Sequence, residues 1–347
     1  RNLADTIKET GKNDYIIIIR STIVPTTARN GIIPLLKEIL SNKKFSLCIV
    51  PEFLREGQAL SDFMNPDKIV IGHVDERGKA FVEKVFDYFK EKVVFISTNL
   101  ETAEMIKYTN NAFFSTLISF ANEIANICEK IGGVDAYQVM NAMITDKRIT
   151  TKIHDSNIIP YLTTYLIPGC GFGGSCFPKD VRALTQHAHS VGAQTPLLES
   201  VLRINDERPE KIVSLAESLL GNLKDKQISV LGLAFKPDTD DIRSSPAVEA
   251  IKLLKTKGAK LSAYDPKVNM ESIQKAGIAN VLLHSSLENC LKNSSLAILF
   301  TKWQEFEQID SNLLDKYMKK PLIIDGRGFL DSRKFQKNTY FKIGYTE

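Results

Sequence analysis

The sequence predicts an α/β protein with two open, largely parallel sheets, the first truncated, joined by one long central helix. Three observations predict it. Short Ile- and Val-rich runs alternate with helical patterns over residues 1–97, and the same alternation returns over residues 209–347. Between them lies an apolar helical pattern of about 30 residues, which at ~1.5 Å per residue makes a rod of roughly 45 Å. Buried-type strands that alternate with helices imply a sheet covered by helices on its faces.

Taken in order, residues 15–19, 45–50, 68–71 and 93–96 read as strands, with a helix over 77–89. The chain opens with Arg1 on a helix that precedes a strand, so it is expected to lack an N-terminal segment of its first domain. Thr98 and Glu101 have capping-box spacing, and Gly132-Gly133 ends the long helix they would start. Phe113, Phe114, Leu117, Phe120, Ala121 and Ile124 cover more than one face of that helix, which fits a link between domains or a subunit interface. Residues 146–165 read as irregular. Pro178 suits the first turn of a helix that runs to Val191 and stops at Gly192. A further helix over 197–205 leads to a boundary at Arg208-Pro209. The second α/β unit then has strands at 227–231, 260–264, 296–300 and 322–324 and a helix at 247–257. Its strand followed by Gly232-Leu233-Ala234 resembles a Rossmann-type first crossover, but the spaced triple glycine of a dinucleotide site is missing.

Composition excludes several classes. A net charge of +4 over 347 residues, without a dense basic patch, does not fit a nucleic-acid binder. It suits an anionic small substrate, and equally no special partner. No apolar run approaches the ~20 residues of a membrane span. Cys48, Cys128, Cys170, Cys176 and Cys290 are odd in number and scattered, which fits neither a disulfide framework nor a zinc site. A reducing, cytoplasmic location and no metal are the expectations.

The segment with most chemistry is Gly169-Cys170-Gly171-Phe172-Gly173-Gly174-Ser175-Cys176-Phe177-Pro178-Lys179-Asp180. Glycines at this density let backbone N–H groups approach a ligand closely. Cys176 stands just before a helix, where the helix N-terminus and Lys179 both favour a thiolate, and Asp180 lies one turn beyond it. The bland alternative is a buried free cysteine beside a flexible loop. Cys170 has no activating neighbour and reads as a packing residue.

GCGFGGSCFPKD resembles the catalytic segment of the UDP-glucose/GDP-mannose dehydrogenase family. RSTIVPTT at 20–27, PEFLREG at 51–57, EMIKYTNNAF at 104–113, GLAFKPDTDDIRSSP at 232–246 and DGRG at 325–328 agree in order along nearly the whole chain. The resemblance implies an NAD-binding Rossmann domain (1–97, truncated), a central helical region with the catalytic loop (98–208) and a Rossmann-like domain for the nucleotide sugar (209–347). It implies NAD as cofactor and a four-electron oxidation of a sugar C6 alcohol to a carboxylate. Cys176 would be the nucleophile, passing through a thiohemiacetal and a thioester.

Other roles follow from the same resemblance. Lys107 would stabilise the oxyanion at C6 and Asn111 would position the substrate; the alternative is Lys107 paired with Glu104 on a solvated face. Glu56 would activate the hydrolytic water, with Thr22 and Asp180 placing it. On spacing alone, Glu52 and Glu56 could equally be surface glutamates paired with Arg55. Substrate contacts would fall to Glu52, Phe53, Leu54, Arg55, Lys107, Asn111, Tyr165, Phe172, Gly173, Phe235, Lys236 and Arg327. Cofactor contacts would fall to Thr22, Glu56, Cys176, Lys179 and Arg243. Two departures stand out: the dinucleotide fingerprint G-x-G-x-x-G is absent from the first domain (1–97), and Arg148, in Asp146-Lys147-Arg148-Ile149, lies 28 residues before Cys176, farther than the family's subunit-crossing arginine.

The expected substrate is UDP-glucose, oxidised to UDP-glucuronate, because PEFLREG fits a plain hexose better than an N-acetylated one. GDP-mannose is the rival, since the irregular stretch from Asp155 to Tyr165 resembles that branch somewhat. A sugar-nucleotide-binding module without activity, and an oligomerisation protein built on the long helix, are readings from other classes. A homodimer or higher homo-oligomer through the central helix is expected.

Overall fold

A computed structural model describes residues 1–10, 12–41, 43–153 and 156–346. The chain forms two compact units. The first comprises Arg1–Ala112 with Ala183–Gln194, and the second Phe113–Arg182 with Thr195–Glu347.

The first unit holds a four-stranded sheet, β1 (Asp14–Ile19), β2 (Lys44–Ile49), β3 (Lys68–His73) and β4 (Val94–Thr98), in that spatial order. The alternation of side chains along a strand decides its two cores. Leu47, Ile49 and Val70 join Ile17, Leu100 and Ala103 on one face. Cys48, Val50, Ile69 and Ile71 join Val82, Phe86 and Phe89 on the other. β1 with β2 and β3 with β4 are parallel, but β2 and β3 are antiparallel, with Ile49 opposite Gly72. An antiparallel return needs no crossover, so the segment between them stays at one end of the sheet, with only the short helix Ala59–Met64. That segment contains Glu52 and Glu56.

The long helix runs Leu100–Ile131, as its pattern required. Its cap differs from expectation: Thr98 ends β4, and Asn99 Oδ1 accepts the Thr102 N–H at 2.8 Å. Asparagine is as good a cap as threonine, and Thr98 is held in the ladder opposite Gly72.

In the second unit a six-stranded, all-parallel sheet has the order β12-β11-β10-β7-β8-β9. Its strands are β7 (Gln227–Leu231), β8 (Lys260–Tyr264), β9 (Leu282–Leu283), β10 (Leu296–Leu299), β11 (Ile323–Asp325) and β12 (Tyr340–Lys342). Edge strands β9 and β12 are two and three residues long, too short to leave a periodic trace. Placing β7 beside β10 is the strand order of a doubly wound sheet, with its switch point between those two strands.

Three expectations need correction. Arg208-Pro209 is no boundary: one 25-residue helix, Pro196–Leu220, continues through it. An internal proline costs about 3 kcal/mol, and burial of Arg208, Pro209, Ile212, Val213 and Ala216 outweighs it. The stretch read as irregular contains an antiparallel hairpin, β5 (Thr151–Ile153) with β6 (Ser156–Ile158), and a short helix Tyr161–Tyr165. Asp155, where the stretch resembling the GDP-mannose branch begins, lies outside the described residues. A helix at Ala136–Ile144, capped by Asp135, was not anticipated.

Candidate active site

The candidate residues fall into two sets, one within each unit.

In the first unit, β1 delivers the chain to Thr22, half-buried, and then to Thr26 in the left-handed region at φ 70°. A non-glycine residue there is strained, and Glu104 of the long helix compensates. Its carboxylate accepts the N–H groups of Thr26 (2.7 Å) and Ala28 (2.9 Å) while only 2% exposed. Burial pushes the Glu104 carboxyl above its ordinary range, with the two backbone donors pulling the other way. Glu104 is therefore committed to this loop, and the alternative pairing with Lys107 on a solvated face is corrected. Lys107 is 5% exposed, its Nζ is 3.7 Å from Glu52 Oε1, and it lies 5.2 Å from the Phe53 ring centroid. The other oxygen of Glu52 accepts the Leu54 N–H at 2.6 Å. Asn111, one turn along from Lys107, is also buried. Glu56 is half-buried, and Arg55 forks onto Asp62 through Nε (3.0 Å) and Nη2 (2.6 Å).

In the second unit the glycine loop is held at almost every residue. Asn122 Oδ1 accepts the Gly169 N–H (2.8 Å), and Arg208 Nε donates to the Gly169 carbonyl (2.9 Å). Cys170 is fully buried, its thiol donating to the Gly326 carbonyl. Arg327 Nη1 donates to the Gly171 carbonyl (3.0 Å). Asn205 takes both sides of Phe172, accepting its N–H (2.7 Å) and donating to its carbonyl (3.1 Å). Gly174 donates to the Arg243 carbonyl (2.8 Å). Glycine is required where the loop packs closest. A Cβ on Gly173 would sit 2.5 Å from the Ser244 carbonyl oxygen, and one on Gly174 would meet the Phe235 ring at 2.8 Å.

Cys176 stands at the end of this fixed loop, immediately before the helix Phe177–Ser190. It is exposed, whereas the other four cysteines are buried, which disposes of the buried-thiol alternative. Lys179 is ion-paired to Asp180, which is only 1% exposed. The Tyr165 ring stacks on Phe114 at 4.6 Å, and Phe172 meets Phe177 edge-on at 6.1 Å. Lys236 Nζ lies 5.8 Å from the Phe235 ring centroid, and Arg243 forks onto Asp241. Arg148 is exposed and forks onto Asp146, whose carboxyl it holds well below the usual range.

Sequence reasoning missed Asn122, Asn126, Asn205 and Arg208. Arg208 is fully buried, and its Nη1 donates to Asn126 Oδ1 at 2.6 Å. Burial works against its charge and lowers its pKa. The available signal was spacing: Asn122 and Asn126 are four apart, Asn205 and Arg208 three apart, so each pair shares a helix face. Ending the helix at Pro209 hid it.

The described residues fit one end of a dinucleotide. β1 and β2 run parallel with Ile19 opposite Ile49, so Thr22, Glu52 and Glu56 follow their carboxyl ends, where open α/β sheets bind ligands. Among the described residues, no helix is long and apolar enough to cross a membrane, and no cluster of three metal-ligating side chains occurs.

Comparisons with known proteins agree with this architecture. Residues 1–90, 101–207 and 229–332 match the NAD binding domain, the central domain and the UDP binding domain of the UDP-glucose/GDP-mannose dehydrogenase family. UDP-glucose 6-dehydrogenase TuaD of Bacillus subtilis is 37% identical over 330 residues, covering 94% of this chain and 68% of the relative. The UDP-glucose 6-dehydrogenase of Rickettsia bellii is 39% identical over 340 residues, covering 95% and 74%. A UDP-glucose dehydrogenase structure from Pyrobaculum islandicum matches with a TM-score of 0.83 at 34% identity, covering 96% of this chain and 72% of that one. The chain therefore belongs to the UDP-glucose/GDP-mannose dehydrogenase family and is an NAD-dependent dehydrogenase.

Proposed function

We propose that this protein oxidises UDP-glucose to UDP-glucuronate, with residues 1–97 serving NAD, 98–208 carrying the catalytic loop and 209–347 holding the nucleotide sugar. The observation that carries this reading is the exposed Cys176 at the end of a glycine loop whose backbone is hydrogen-bonded at Gly169, Gly171, Phe172 and Gly174. The relatives named as UDP-glucose 6-dehydrogenases, at 35–39% identity, favour UDP-glucose over GDP-mannose.

The residues that would serve NAD are Thr22 and Glu56 of the first unit and Cys176, Lys179 and Arg243 of the second, and the cofactor would supply a hydride acceptor for each of two oxidations. The first gives a C6 aldehyde. Cys176 Sγ adds to its carbonyl carbon, and the thiol proton goes to the oxygen, giving a thiohemiacetal. Loss of hydride from C6 and of the hydroxyl proton gives a thioester. Lys107, a buried cation, stabilises negative charge at the C6 oxygen, and Asn111 orients the sugar. Glu56 takes a proton from the water placed by Thr22 and Asp180. That water adds to the thioester, the S–C bond breaks, and the carboxylate leaves. Glu52, Phe53, Leu54, Arg55, Tyr165, Phe172, Gly173, Phe235, Lys236 and Arg327 complete the substrate contacts.

A reducing compartment such as the cytoplasm belongs to this reading, since the route needs Cys176 as a free thiol. So does a homodimer through the long helix. Phe113, Phe120 and Ile127 are exposed at seven-residue intervals along it, a stripe that a second copy would cover.

The test is product stoichiometry. Two NADH should form per UDP-glucose, iodoacetamide should inactivate by alkylating Cys176, and substrate should protect. Cys176→Ser with undiminished turnover to the uronic acid, or oxidation of GDP-mannose but not UDP-glucose, would refute the mechanism or the substrate respectively.

A further inference from the structure

At the switch point of the second unit, the loops after β7 and β10 are locked together. Thr301 Oγ1 donates to the Ala234 carbonyl at 2.5 Å, and a Cβ on Gly232 would meet the Thr301 side chain at the same distance. Trp303 Nε1 donates to Asp265 at 3.1 Å. Lys302 stands between these two anchored residues, half-buried at the carboxyl end of β10. Among the described residues it has neither an ion pair nor a hydrogen bond.

Its charged surroundings make this unusual. Arg327, after β11, repels it, and that repulsion together with burial lowers the Lys302 pKa below its ordinary 10.5. Asp325 and the Cys170 thiol act in the opposite direction. The Asp325 carboxylate is already occupied, accepting the N–H groups of Arg327, Phe329 and Leu330 and the Tyr340 hydroxyl. Arg327 spends Nε on the Phe300 carbonyl and Nη1 on Gly171, leaving Nη2 without a partner among the described residues. Two cations held together with no carboxylate free to pair with them cost free energy. A folded protein keeps such an arrangement where an anion repays it.

We propose that Lys302, together with Arg327, binds the diphosphate of the nucleotide sugar and contributes to selection for it. The inference rests on the reading of this protein as a nucleotide-sugar dehydrogenase. A compact ammonium suits a phosphate oxygen as a point charge, beside the fork of an arginine. The place is the ligand crevice of a doubly wound sheet, outside the carboxyl ends of the strands flanking the switch point.

The experiment compares Lys302→Met with wild type by equilibrium binding of UDP, GDP and uridine and by melting temperature without ligand. Methionine keeps the aliphatic stem and removes only the charge. The expected result is UDP binding weakened about tenfold, uridine binding unchanged, and a ligand-free melting temperature equal to or above wild type. Unchanged UDP affinity overturns the proposal, as does an equal loss for UDP and uridine. A lower melting temperature makes the lysine structural and also overturns it. Wild-type protein that binds GDP and not UDP sinks the UDP-glucose reading instead, and the variant's effect on GDP then decides the role of Lys302. Binding of neither diphosphate defeats both.

Discussion

Arg208→Met isolates what holds the catalytic loop. The guanidinium is fully buried, donates to the Gly169 carbonyl and to Asn126 Oδ1, and its Nη2 has no partner among the described residues. Methionine fills much of the same volume but donates nothing. A buried acceptor, the Gly169 carbonyl, and a half-buried one, Asn126 Oδ1, then lose a donor, at about 1–3 kcal/mol for the buried one and less for the other. Against that, a buried charge with no carboxylate bonded to it is removed, which returns part of the loss. The net destabilisation should be about 2–4 kcal/mol, or roughly 4–16 °C in melting temperature for a cooperative unit of about 200 residues. The functional effect should exceed the stability effect, because Gly169 begins the loop that ends at Cys176. Well below the melting temperature, kcat should fall about 10- to 100-fold, and the rate of Cys176 alkylation by iodoacetamide should change with it. Calorimetry, steady-state NADH formation and alkylation kinetics measure the three quantities. A variant with wild-type melting and wild-type alkylation would refute the reasoning, since the loop would then not depend on this contact.

Gly173→Ala should lower kcat/KM by at least about 100-fold, because the obstacle is the Ser244 carbonyl, a backbone atom that cannot swing aside; NADH formation measures it. Gly31→Ala is the control: its Cβ meets nothing within 4 Å, so unfolding free energy should be unchanged or rise by up to about 1 kcal/mol, as urea denaturation would show. Burial raises the Glu104 carboxyl in the folded state, so the folded protein holds that proton more tightly than the unfolded chain. Its contribution to stability is full below the ordinary value of 4.5 and is lost as pH rises through the folded-state value. Glu104→Gln should therefore lose less stability than wild type as pH is raised from 4.5, and parallel urea-denaturation profiles would contradict this.

How much of this was legible depends on how local each feature is. The strands of the first sheet, β7, β8, β10 and β11 of the second, the long helix, and Cys176 before its helix all follow from apolar period, caps and glycine content, which act over a few residues. The ordered motifs placed the chain in its family. Other features depend on partners far along the chain. Whether Lys107 merely pairs with Glu104 was open in sequence, because residues 26 and 28 had to fold against Glu104 before that carboxylate was taken. The antiparallel joint between β2 and β3 likewise depends on a return path, not on either strand's composition.

By itself the sequence determined the class of fold, the family, and the glycine loop that leads to Cys176. Only tertiary structure decided that Pro209 lies inside a helix, that Arg208 and Asn205 hold the loop, and that Lys302 and Arg327 share one place. Propensity and period are sums over neighbours, whereas burial of a charge or a proline is repaid by contacts from elsewhere in the chain, and those exist only once the chain has folded.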